Sequence, residues 1–199
     1  MTPRVLRAAG RAPAPWRNGG GVTREIAVWP EGAASDAFDW RISLADVAAD
    51  GPFSAFPGVQ RTLTVVEGEG MDLMVGGEHH IVDEPYWPYD FPGDLQTVGH
   101  LLGGPVVNFN VMYRRCRTEA ATAVVRGTVR LMPPDGGAVL ALALEDGAVL
   151  DGTDIELGRY DAVLLTDEPS GRPAAVLRTM GSAVLVTLGP VSRYAPGTQ

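Results

Sequence analysis

Lysine is absent from this 199-residue chain, whose 16 basic residues are all Arg, so no side chain is available for Schiff-base catalysis by Lys. Cysteine occurs once, as Cys116. One thiol cannot close an intramolecular disulfide and lacks the partners of a thiolate metal site, which fits a reducing compartment. No run approaches the roughly 20 apolar residues that span a bilayer. The opening MTPRVLRAAGRAPAPWRNGG is charged but lacks the apolar core, about 7 to 15 residues long, of a secretory signal. A cytoplasmic location follows as the expectation. With a net charge of −8 and a pI near 4.8, neither nucleic acid nor an anionic membrane is an expected partner. Helical periodicity is also missing, since no amphipathic pattern of ten or more residues appears.

Short apolar runs cut by Gly, Pro and Asp fill the chain instead, the spacing of a sandwich or barrel. The densest is Gly51 to Val75, GPFSAFPGVQRTLTVVEGEGMDLMV. Arg61 to Val66 reads as a strand, Glu67 to Gly70 as a tight turn, and Met71 to Val75 as a strand returning to pair with the first. Period two places Arg61, Leu63 and Val65 on one face. If that face is a barrel interior, Arg61 is a charge in need of an anion. Otherwise it sits at a strand mouth and reaches water.

Two further stretches carry polar chemistry. PWRNGGGVTREI, Pro15 to Ile26, combines an aromatic, two Arg, one Asn and three consecutive Gly, which allow either a sharp turn or close approach to a ligand. It lacks the Lys and spacing of a phosphate loop. VNFNVMYRR, Val107 to Arg115, places Asn108, Asn110, Met112 and Arg114 on one face, suited to a lined pocket or to solvent. Trp40, Ile42 and Leu44 alternate with Arg41 and Ser43, giving a strand with one apolar and one polar face. Phe53, Phe56 and Pro57 are expected to cover the end of the core, or a pocket. His79 and His80, being adjacent in a strand, face opposite sides and cannot comfortably ligate one metal. Asp83 to Asp94 is expected to cross with an edge strand, and Thr118 to Arg126 to be a connector.

PWRNGGGVTREI, WRISLADVAADGPFSAFPGVQRTLTVVEGEGMDL, PYDFPGD and GGPVVNFNVMYRR stand in the order they have in the HutD family, also called HutD/Ves, which the chain resembles from about Trp16 to Arg115. The resemblance implies an all-β bicupin, two double-stranded β-helix (jelly-roll) units in one chain. We expect the first at residues 1–117 with the pocket motifs and a degenerate second at 118–199. It also implies a bacterial cytoplasmic protein linked to histidine utilisation, a pathway with acidic intermediates such as N-formylglutamate, and a regulatory role through ligand binding. Asn108 departs from the Asp expected there in the family and removes a negative charge.

Many cupins hold a metal through an HxH pair, a Glu and a later His. With only His79, His80 and His100 and no HxH, the expectation is a metal-free pocket and no cofactor. Trp16, Arg17, Asn18, Arg24, Arg61, Phe91, Asn110 and Arg114 are the expected ligand-binding residues. Arg would grip a small carboxylate, Asn orient it and the aromatics exclude water. The alternative is a metal-independent hydrolase, isomerase or lyase acting on a related acid, with Glu25, Glu67 or Asp94 as general base. A structural homodimer module leaves the in-strand Arg and Asn unexplained, although a homodimer stays open as an assembly.

Overall fold

The computed structural model describes residues 3–34, 36–167 and 174–191; residues 192–199, within the expected second unit, lie outside them. Among these residues the structure is all β, with one 3-10 turn at Ala8–Gly10 and no helix able to cross a membrane. The strands are β1 (Arg4–Leu6), β2 (Pro13–Pro15), β3 (Gly21–Trp29), β4 (Trp40–Val47), β5 (Gly51–Phe53) and β6 (Val59–Glu67). They continue as β7 (Met71–Val75), β8 (Glu78–Val82), β9 (Tyr89–Pro92), β10 (Thr97–Leu101), β11 (Val106–Arg114) and β12 (Thr118–Leu131). The last are β13 (Ala138–Ala143), β14 (Ala148–Leu150), β15 (Glu156–Leu157), β16 (Ala162–Thr166) and β17 (Ala175–Pro190).

They form three sheets. One runs β2-β3-β4-β11-β6-β9 and one β5-β10-β7-β8. The third runs β1-β16-β13-β17-β14-β15, with β12 also paired to β17. The six-stranded sheet is the middle layer and is buried on both faces. Trp40, Ile42, Leu44, Phe109 and Val111 pack against Leu140, Leu142, Leu164, Val184 and Val186 of the seven-stranded sheet. The opposite face contributes Ala45, Val47, Leu63 and Val65 to a core with Met71, Leu73 and Val75 of the four-stranded sheet. Alternation along β4 and β6 therefore sorts each strand between two cores, as period two requires.

Two expectations are corrected. Arg61 to Val66 and Met71 to Val75 do not pair with each other: β6 lies between β11 and β9, and β7 between β10 and β8. The turn at Glu67 to Gly70 carries the chain from one sheet to another. A Cβ on Gly68 would stand 2.6 Å from the Pro105 carbonyl oxygen, and one on Gly70 2.4 Å from that of Val82, so the glycines serve close passage across neighbouring strands. Thr118 to Arg126, expected as a connector, is the first part of β12 and pairs with β17. Its Ala and Thr side chains alternate between exposed and half-buried, an amplitude too small to stand out in the sequence.

The first strand also has a distant partner. β1 pairs with β16, with Arg4 opposite Leu164, and so joins the seven-stranded sheet formed by the end of the chain. Behind it the Asp161 carboxylate accepts the Ala8 N–H and the Arg7 guanidinium, each at 2.7 Å, and the Gly158 N–H at 3.1 Å.

Candidate functional site

A cavity of about 650 Å³ opens on the face of the six-stranded sheet that looks toward the four-stranded one. Its walls are Thr23 of β3, Arg41, Ser43 and Ala45 of β4, Arg61 of β6, and Asn110 and Met112 of β11. Trp16, Arg17 and Asn18 stand on one side of the mouth, and Pro52 to Phe56 on the other. Register explains the convergence. In the antiparallel ladders Asn110 lies opposite Ser43 and Leu63, and Met112 opposite Arg41 and Arg61, and opposed residues share a face.

Arg61 dominates the electrostatics. The residue is 6% exposed, and its guanidinium carbon lies 5.0 Å from the ring centres of both Phe53 and Phe91. Its one hydrogen bond is long, from Nη1 to the Ser54 carbonyl oxygen at 3.5 Å, and Nε has no partner. Burial lowers its pKa to about 10. No carboxylate faces it among the described residues, so the stacked rings are its main compensation. Arg41, by contrast, donates from Nε to Glu25 Oε2 at 2.8 Å. Arg17 is exposed at the mouth. Asn110 donates to the Asn108 carbonyl oxygen at 3.4 Å, while its buried Oδ1 accepts nothing. Arg61 Nε and Asn110 Oδ1 are thus both buried without a hydrogen-bond partner among the described residues, on residues that line the cavity.

The mouth is built by the glycine run. Trp16 N–H donates to the Gly21 carbonyl oxygen at 2.9 Å, Gly19 N–H to that of Trp16 at 3.0 Å, and Trp16 Nε1 to Thr23 Oγ1 at 2.7 Å. The indole meets Phe53 edge-on at 6.1 Å between ring centres. A Cβ on Gly21 would lie 2.5 Å from the Asp46 carbonyl oxygen and 3.1 Å from the indole. Gly21→Ala is therefore expected to push Trp16 off Phe53 and cost about 1–3 kcal/mol. A lowered thermal midpoint with shifted tryptophan fluorescence is the readout.

Of the eight expected residues, Trp16, Arg17, Asn18, Arg61 and Asn110 line this cavity. Phe91 is fully buried and supports Arg61 from beneath. Arg24 and Arg114 are placed elsewhere. Arg24 lies opposite Leu44, on the far face of the sheet, and pairs with Asp46. Arg114 shares the face of Asn110 and Met112 but lies past the cavity, where it donates to the Phe38 carbonyl oxygen at 2.9 Å and to that of Asp36. Thr23, Arg41, Ser43, Phe53, Ser54 and Phe56 line the cavity without having been singled out as ligand contacts. The polar side of the Trp40 to Leu44 alternation was the signal for Arg41 and Ser43.

Glu25, Glu67 and Asp94 do not line the cavity. Glu67 accepts the Tyr160 hydroxyl and pairs with Arg159 at 2.8 Å, and Asp94 accepts the Gly58 N–H at 2.6 Å and pairs with Arg115. The histidines stand apart: His79 bonds Asp72 at 2.7 Å, His80 stacks near Tyr89 at 5.1 Å, and His100 bonds Asp50 at 3.3 Å. Among the described residues no three His, Cys, Asp or Glu side chains cluster as a metal site.

Layered, curled antiparallel sheets around a cavity define a cupin-like β protein. The fold is shared with a cupin 2 conserved barrel domain protein from Leptotrichia buccalis, 11% identical with a TM-score of 0.56 over 92% of this chain and 100% of that one. The model of the HutD family matches residues 8–184, and the chain belongs to that family. It is 37% identical over 163 residues, 81% of this chain and 85% of the other, to an uncharacterized 21.2 kDa protein in the hutC 3' region of Pseudomonas putida. The solved structure of HutD from Pseudomonas fluorescens SBW25 is 34% identical and superposes with a TM-score of 0.83, covering 95% of this chain and 99% of that one.

Proposed function

We propose that this HutD-family protein holds a small carboxylate, N-formylglutamate or a related histidine-degradation intermediate, in a metal-free pocket and so modulates histidine utilisation in the bacterial cytoplasm. One observation carries the reading: Arg61 is a buried cation at the cavity wall without an internal carboxylate. A bound carboxylate completes its fork with charge-assisted hydrogen bonds, and Asn110 Oδ1 is placed to accept an N–H from the same ligand. The described lining contains no carboxylate, imidazole or thiol, so binding is favoured over turnover. We read the layers as two cupin units meeting near residue 117, with residues 4–6 lent to the second.

Isothermal titration with N-formylglutamate, glutamate, urocanate and histidine, beside Arg61→Ala, tests it. Saturable heat from one acid, lost in the variant, is the expected result. No heat from any of them overturns the assignment to this pathway's acids.

A further inference from the structure

A second opening, of about 520 Å³, lies on the opposite side of β3 from β4 and has no part in the carboxylate cavity. It is lined by Arg4 and Leu6 of β1, by Leu164, Leu165 and Thr166 of β16, and by every residue of β3 from Glu25 to Trp29. Ile26 and Ala27 stand at a bulge and both reach the core shared with the seven-stranded sheet, so alternation alone does not place the cleft. Hydrogen-bond pairing does. β2 covers β3 only from Val22 to Arg24, and the cleft begins at the next residue. On its other side stands β1, the terminal strand of its sheet, paired among the described strands only with β16.

We infer that this cleft docks an extended segment of a partner protein, which adds to β3 as a strand in line with β2. Beyond Arg24 the outer edge of β3 pairs with no strand among the described residues, and it supplies donors and acceptors that a main chain satisfies and an apolar small molecule does not. Ile26, Trp40 and Leu164 give the floor an apolar surface for alternate side chains, and Trp29, half exposed, forms the lip. The partner segment is uncharged, because the charges around the cleft are already matched within the chain: Arg4 with Glu31 at 2.8 Å, and Glu25 with Arg41 at 2.8 Å. The Arg4–Glu31 pair joins the two lips and is exposed at both ends, so parting it costs little.

The test is selection from a displayed library of octapeptides on the full chain, with depletion on Ala27→Trp, which fills the cleft. Thr166→Phe serves as a second filled variant, and thermal melts confirm that each variant folds. Expected are uncharged peptides with alternating apolar residues that slow amide exchange at Ile26 to Trp29. Filling the cleft, or N-methylating alternate peptide amides, is expected to weaken them ~10-fold or more, the loss of one or two backbone hydrogen bonds. The inference is overturned if no peptide distinguishes wild type from both filled variants, or if N-methylated peptides bind equally well. Sedimentation showing a dimer that the filled variants abolish would also overturn it, by assigning the cleft to a second copy.

Discussion

Arg61→Met is expected to make the protein more stable and unable to bind its acid. Arg61 is buried between Phe53 and Phe91 with one 3.5 Å hydrogen bond, so folding strips its charge of water for little return. Met keeps an unbranched stem between the rings and removes the charge. The gain is about 1–3 kcal/mol, or roughly 3–10 °C in melting temperature for a chain of this size. The pH dependence identifies the cause. Burial lowers the folded pKa to about 10, below the ordinary arginine value, so the penalty is fully present below pH 10 and is relieved as pH rises above it. Urea melts of both forms are therefore expected to show a gap that is constant through neutral pH and closes above pH 10. A bound carboxylate is expected to stabilise the wild type alone. An Arg61→Met protein less stable than wild type at neutral pH would mean that the rings already compensate the charge, and that no anion is needed.

Asp161→Asn is expected to act in the opposite direction, costing about 2–3 kcal/mol by weakening the hold on the N-terminal segment. Burial would raise the pKa of this carboxyl, but the Ala8 N–H, Arg7 and the Gly158 N–H together hold it below the ordinary 3.8. Its contribution is thus present above pH 3.8 and disappears as pH falls through the lower folded value. Melts at pH 7 should separate variant from wild type, and the gap should narrow below about pH 4. Amide exchange at Arg4 to Leu6 should quicken in the variant. Unchanged exchange there would show that β1 is held by its ladder with β16 alone.

Alternation made the site legible, and the pairing of neighbouring strands limited how far. Arg61, Leu63 and Val65 share a face as period two requires, and Asn110 joins them because β11 lies beside β6 in that register. The same rule placed Arg114 on the correct face yet could not show that it lies past the cavity, above Phe38. Arg24 failed for another reason. Its own strand does not reveal which face looks toward the four-stranded sheet; the pairing with β4 sets that, and puts Arg24 with Leu44 and Asp46. Glu67 to Gly70 looks like a hairpin turn because Gly answers two needs alike, a reversal and a close crossing. Only the neighbouring carbonyls of Pro105 and Val82 distinguish them. β12 escaped notice because Ala and Thr on an edge strand bury too little on either face to mark a period.

The ladder between β1 and β16 also sets the order in which this chain can be finished. Arg4 emerges from the ribosome well ahead of its partner Leu164, which is 160 residues behind it. At ordinary rates of translation the first strand waits ~10–30 s without its neighbour. The described strands of the middle layer and the residues lining the cavity around Arg61 are all made before β12, so they can assemble during that interval. A strand made that far ahead of its partner is among the last to be placed.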